Sequence, residues 1–287
     1  MGKASSLFVM FSSILLFAHI ISGCYGYALG QDKLDGASLE GEDRLTPSYV
    51  DPLFLLTVNG SQIIQQSINK DTPQLAADAT SVYDATHIMN SQSYYGIKVT
   101  SDVFFQLCMV IRKLIFYVTW TTDDYQKTGC YNLLCPGYVP EANVKIIPGV
   151  AIEAVSDPNG PKRTMIFKVF KVDNSGDWLV HIGFDSEPYL VGRFPKSLFT
   201  NLADKGNYIT LGGFVMTRKT HLAPMGSGFL STSIKAASFD NIELIDQNGQ
   251  TSKVQQDQPI SVTDNNRYTV SPINTEGKFT YGGPLLQ

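Results

Sequence analysis

Short runs rich in Val, Ile, Phe and Tyr, broken at close intervals by turn residues, fill the chain after about Ser81. That texture belongs to antiparallel β-structure, because β-branched and aromatic side chains suit a pleated surface and turns must follow quickly. Runs at Tyr95–Val99, Val144–Ile147, Thr164–Val172, Trp178–Gly183 and Tyr208–Gly213 read as strands. Asp157-Pro158-Asn159-Gly160 and Asp173-Asn174-Ser175-Gly176 suit hairpin reversals. One helical turn is expected over Lys196–Ala203, where Leu198, Phe199 and Leu202 share a face. No long helix competes, so the expected fold is all-β, an antiparallel β-sandwich of two curved sheets.

With 287 residues, 43% of them hydrophobic, the chain has material for a substantial core. A net charge of -4 without a basic stripe excludes a general hold on nucleic acid or anionic lipid, which needs clustered Lys and Arg. The histidines show no spacing suited to a metal site, and nothing implies a cofactor.

Lys3 followed by the apolar run Leu7–Ile21 and small residues is the layout of a secretory signal peptide, with cleavage expected between about Gly23 and Ala28. About 15 apolar residues fall short of the ~20 that span a bilayer, so no membrane anchor is expected after cleavage. Arg112 and Lys113 likewise disqualify Val103–Trp120 as a span. The chain divides into a signal segment (1–28), a polar leader (29–80) and a β-domain (81–287). The leader holds the single glycosylation triplet, at Asn59. The destination is extracellular or vacuolar and oxidising, so Cys130 and Cys135 read as a disulfide closing a tight loop, while the odd Cys108 reads as either a buried thiol or a site of intermolecular pairing.

The segment Trp120-Thr-Thr-Asp-Asp-Tyr-Gln-Lys-Thr-Gly-Cys-Tyr-Asn-Leu-Leu-Cys-Pro-Gly137 resembles the signature of the neprosin family of glutamic peptidases. Gly176–Val180, Val191–Phe199, Gly212-Gly213, Met225–Gly228, Lys235–Phe239 and Tyr281–Pro284 extend the resemblance in the same order. It implies a secreted, plant-type β-sandwich that cuts peptides after proline at acid pH, using two glutamates across one face. The chemistry needs both carboxylates, one to take a proton from the attacking water while the other holds one.

This chain departs from that pattern at both places. Val103–Val118 contains neither Glu nor Asp and lacks the family's first glutamate segment, and Phe214 follows the Gly212-Gly213 pair where the second is expected. Phenylalanine carries no titratable group. The family's C-terminal disulfide is missing as well, with Arg267 in place of a cysteine. The expected function is therefore a pseudoenzyme binding proline-rich peptide or wall protein. Trp120, Tyr131, Gly212, Gly213, Met225, Gly226, Ser227 and Gly228 are the candidate cleft. The alternative is an active endopeptidase, in which Val103–Val118 is a foreign join or another acid pair substitutes. Glu153, Glu187 and a Ser227–His221 pair are weaker candidates, read as surface or loop residues.

Overall fold

The computed structural model describes residues 3–11, 14–20, 80–104, 114–122, 128–152, 156, 159–218 and 222–284. In chain order the strands begin with β1 (Lys3–Phe11), β2 (Ile14–Ile20), β3 (Thr80–Tyr94), β4 (Gly96–Asp102) and β5 (Leu114–Trp120). Then come β6 (Cys130–Tyr131), β7 (Val139–Pro140), β8 (Ala151–Ile152), β9 (Thr164–Lys171), β10 (Trp178–Phe184) and β11 (Tyr189–Phe194). The last are β12 (Gly206–Arg218), β13 (Ala237–Ile245), β14 (Thr251–Lys253), β15 (Ile260–Val262), β16 (Thr269–Val270) and β17 (Phe279–Gly282). All pair antiparallel in two sheets, as the sequence texture predicts.

Sheet A has eight strands in the order β15-β3-β12-β1-β2-β5-β6, with β8 also on β5. Sheet B has nine in the order β16-β17-β13-β4-β9-β10-β11-β7, with β14 on β13. The β9–β10 hairpin shows how the pattern builds the core. Met165, Phe167 and Val169 alternate with solvent-side residues on β9, as Trp178, Val180 and Ile182 do on β10, and all six are buried. Residues 173–176 reverse the chain, and Gly176 adopts φ +74°, a left-handed conformation that costs glycine little. Trp178, Tyr268, Phe116, Phe167, Phe194, Phe239 and Phe279 are the largest fully buried side chains.

Three expectations are corrected. Val144–Ile147 is a loop, since Pro140 and Pro148-Gly149 bound it closely and Val150 N–H turns back onto Ile147 O at 3.1 Å. Lys196–Ala203 forms two separate 3-10 turns, Lys196–Leu198 and Asn201–Ala203, because Phe199 between them is extended (φ -118°, ψ 153°). Leu202 is anchored by Trp178, whose Nε1 donates to its carbonyl at 2.8 Å. β8 belongs to sheet A and β9 to sheet B, so the hairpin expected at 157–160 does not join them, while Asp157 and Pro158 themselves lie outside the described residues.

The N-terminal apolar segment, expected to leave on export, forms the β1–β2 hairpin in sheet A of the full chain. Removing it would empty that place. The Asn59 leader, Cys24, Cys108, Glu153 and His221 lie outside the described residues.

Candidate functional site

Alternation along β12 sorts its side chains between two faces. Ile209, Leu211 and Val215 are fully buried towards sheet B, so Thr210, Gly212 and Phe214 lie on the opposite, outer face of sheet A. The neighbouring strand β3 obeys the same rule: Tyr83, Ala85, His87 and Met89 point into the core, leaving Asp84, Thr86 and Ile88 outside. Register then pairs Phe214 with Asp84, Gly212 with Thr86 and Thr210 with Ile88. Residues of β5 continue this face, with Phe116 and Val118 inward and Tyr117 and Thr119 outward. Burial pushes the Tyr117 phenol above its ordinary value.

The paired glycines serve both faces at once. A Cβ on Gly212 would lie 2.8 Å from Thr86 Cγ2, and one on Gly213 would lie 2.6 Å from Tyr281 Cε2 and 2.8 Å from Met225 Sδ. Backbone here runs closer to its neighbours than any side chain permits.

Among the described residues, Asp84 is the single acidic residue carried by the strands of sheet A. Its carboxylate accepts a hydrogen bond from the Thr263 hydroxyl. Its amide donates to Thr263 Oγ1 at 3.1 Å, and its carbonyl accepts from Thr263 N–H at 3.2 Å. Thr263 thus holds Asp84 on three sides. Phe214 next to it is 9% exposed. Thr210 on the same face is also buried, and its hydroxyl finds no hydrogen-bond partner.

The signature segment builds a closed corner. Cys130 and Cys135 are bonded with their Cα atoms 6.0 Å apart, and β6 pairs Cys130 with Trp120 and Tyr131 with Thr119. Asn132 turns the loop at φ +49° while its Oδ1 accepts from Val118 N–H at 3.0 Å. Thr121 Oγ1 donates to Thr128 O at 3.0 Å, which ties the two ends of the intervening segment together. The Trp120 ring meets Phe199 edge-on at 6.4 Å, and the indole fills the space where Gly137 would carry a side chain. Its buried Nε1 has no hydrogen-bond partner.

The structure divides the candidate cleft. Gly212 lies on the outer face, and Tyr131 occupies a register position opposite outward-facing Thr119. Trp120, Gly213 and Met225 belong to the core side: Trp120 and Gly213 are two residues from inward-facing Val118 and Leu211, and Met225 is part of the buried core cluster. Gly226 sits against Ala237, and Gly228 completes the turn with its N–H on Met225 O at 2.9 Å. Ser227 is buried in that turn, where its Oγ accepts from Phe229 N–H at 3.4 Å. Glu187 is largely exposed, 3.9 Å from Lys98. Among the described residues no group of three His, Cys, Asp or Glu side chains is placed to hold a metal.

Asp84 was not singled out from sequence. The alternation that reveals it is masked by Ala85 and His87, which are weak markers of an inward face. A second polar group missed is Asp102, a buried carboxylate that accepts from Ser238 N–H at 3.1 Å, Ser238 Oγ at 2.8 Å and Lys162 Nζ at 3.2 Å.

The described residues form a two-sheet antiparallel sandwich with a disulfide-closed aromatic corner and a glycine pair in the middle of sheet A. Residues 88–284, well over half of the chain, match the family model for Neprosin, and the chain belongs to that family. It is a peptidase-family protein by descent.

Proposed function

We propose that this chain is a non-catalytic member of the neprosin family that binds extended, proline-rich peptide or wall protein along the outer face of sheet A, in the extracellular space or vacuole. One observation carries the reading: among the described residues the strands of sheet A hold a single carboxylate, Asp84, and Phe214 stands beside it where the family resemblance expects a glutamate. A lone carboxylate cannot both accept the proton of the attacking water and hold the second proton that acid peptidase chemistry shares between two groups. Asp84 is further engaged by the Thr263 hydroxyl.

Binding without cleavage suits the remaining groups. Tyr117 is half-buried on this face, and an aromatic ring there can pack against the ring of a proline. The test is to incubate the purified protein with proline-containing peptides at acid pH and follow products by mass spectrometry. No product above a blank preparation is expected. Turnover after proline that disappears in Asp84→Ala would overturn the proposal.

A further inference from the structure

His87 of β3 points into the core and is fully buried. Its ring meets a backbone carbonyl at each nitrogen: Nδ1 lies 3.1 Å from Gln258 O, and Nε2 lies 2.8 Å from Ser271 O. A carbonyl oxygen can only accept. A neutral imidazole has a single N–H, so it satisfies one of these contacts and turns a lone pair on the other. A protonated ring donates to both.

Asp257 faces the same ring, with its Oδ1 3.9 Å from His87 Nδ1. The other described elements packed here are apolar: Leu211 of β12 and Ile260 of β15 stand opposite in register, and Phe279 of β17 presents its ring edge at 4.5 Å. Further along the core face Tyr83 and Tyr268 pack on each other, 5.2 Å between centroids, and Arg267 pairs with Asp264 at 3.4 Å. Both carbonyls that His87 meets belong to the stretch flanking edge strand β15. This edge is thinly held, because β15 makes three register pairs with β3 while Asp257, Pro259 and Ile260 are exposed. Thr263, one residue beyond β15, is the group that engages Asp84.

We propose that His87 is a proton-operated latch on the edge of sheet A. With the ring protonated, it fastens the stretch from Gln258 to Ser271 across β3 and keeps Thr263 on Asp84. With the ring neutral, one carbonyl loses its donor, β15 loosens, and Asp84 and the edge of β3 open to solvent. The closed state belongs to acid and the open one to mildly alkaline solution, since imidazole changes charge between about pH 5 and 8. The latch concerns the sheet edge and holds whether or not a peptide binds. His181, an imidazole on the β9–β10 pair whose buried Nδ1 has no partner, titrates in the opposite sense, so the readout is taken at β15 itself.

Hydrogen–deuterium exchange on the full chain at about pH 5 and about pH 8, corrected for the chemical rate at each pH, is the test. The amides of Ile88 and Thr263 bond across this pair, to Pro259 O at 2.7 Å and Asp84 O at 3.2 Å. They are expected to lose at least about tenfold in protection at the higher pH, the worth of one hydrogen bond. His87→Gln carries one donating end at every pH and is expected to show no such change. Equal protection at the two pH values overturns the proposal, and so does a loss that persists in His87→Gln. Nitrogen-15 NMR of the ring needs no variant: both nitrogens are expected to be protonated at about pH 5, and one bare nitrogen there overturns the latch.

Discussion

Asp84 and Phe214 stand directly opposite each other across the β3–β12 pair, on the side of sheet A turned away from the core. Restoring an acid at the second position would therefore place two carboxylates side by side on adjacent strands. Like charges directly opposite in a sheet repel, and Phe214 is a buried site. Phe214→Glu should cost about 1–2 kcal/mol at neutral pH and lower Tm by roughly 2–8 °C. The deficit should shrink at acid pH, where protonation of either carboxyl removes the repulsion. Thermal melts at neutral and acid pH check this, and an unchanged Tm at neutral pH would refute it. No peptidase activity should appear, since the acid pair would lie on neighbouring strands without the family's spacing across the face.

The sheet texture was legible because hydrophobic alternation reports burial directly, as at Met165, Phe167 and Val169 of β9 and at Trp178, Val180 and Ile182 of β10. The site was less so. Glycines carry no side chain to sort, so Gly212 and Gly213 read as one motif although they face opposite sides of the sheet. Met225 and Trp120 resembled cleft residues by motif but are interior by register and packing. Long-range partners such as Thr263 for Asp84, 179 positions away, leave no local trace at all.

Asp102 closes the end of β4 onto β13 through three hydrogen bonds, two of them to Ser238. Its side chain is 7% exposed, against 46% for Lys162. Removing the carboxylate strands a buried N–H and a buried hydroxyl, so Asp102→Ala should cost about 2–3 kcal/mol and lower Tm by roughly 5–10 °C. Lys162→Ala loses only a half-exposed partner and should cost under about 1 kcal/mol. Chemical denaturation of both variants decides the order; equal losses would mean that the ion pair, not the Ser238 contacts, holds the junction.

His181 lies across from Lys168 on the β9–β10 pair, with its ring 5.3 Å from Phe170 and its Nδ1 buried without a partner. Burial, and secondarily the Lys168 charge, hold its pKa below 6.5. A depressed pKa means the folded state resists the proton that the unfolded chain accepts. The associated stability is present above about pH 6.5 and is lost as pH falls through the folded value. Unfolding free energy should therefore decline on acidification, and His181→Phe should flatten that decline. A variant with the same pH slope as the parent would remove His181 from the account.

Tyr138, Tyr268 and Tyr281 share one cause of perturbation, since burial pushes each phenol far above its ordinary 10.0. For Tyr281 the Asp102 charge adds to burial, while a hydrogen bond with Ser101 opposes it. Because the folded values are raised, the stability they contribute is complete below pH 10.0 and is lost as pH climbs through the folded values. Ultraviolet titration should show these three phenolates only together with unfolding, after the exposed tyrosines have ionised. Their hydroxyls differ at neutral pH: Tyr268 donates to Ala223 O at 2.7 Å, whereas Tyr138 OH is buried with no partner. Tyr268→Phe should cost about 1 kcal/mol for the lost hydrogen bond, while Tyr138→Phe should be neutral or stabilising because it removes an unsatisfied polar atom. Denaturant midpoints that place Tyr138→Phe below Tyr268→Phe would show that the Tyr138 hydroxyl makes a bond to water that matters to the fold.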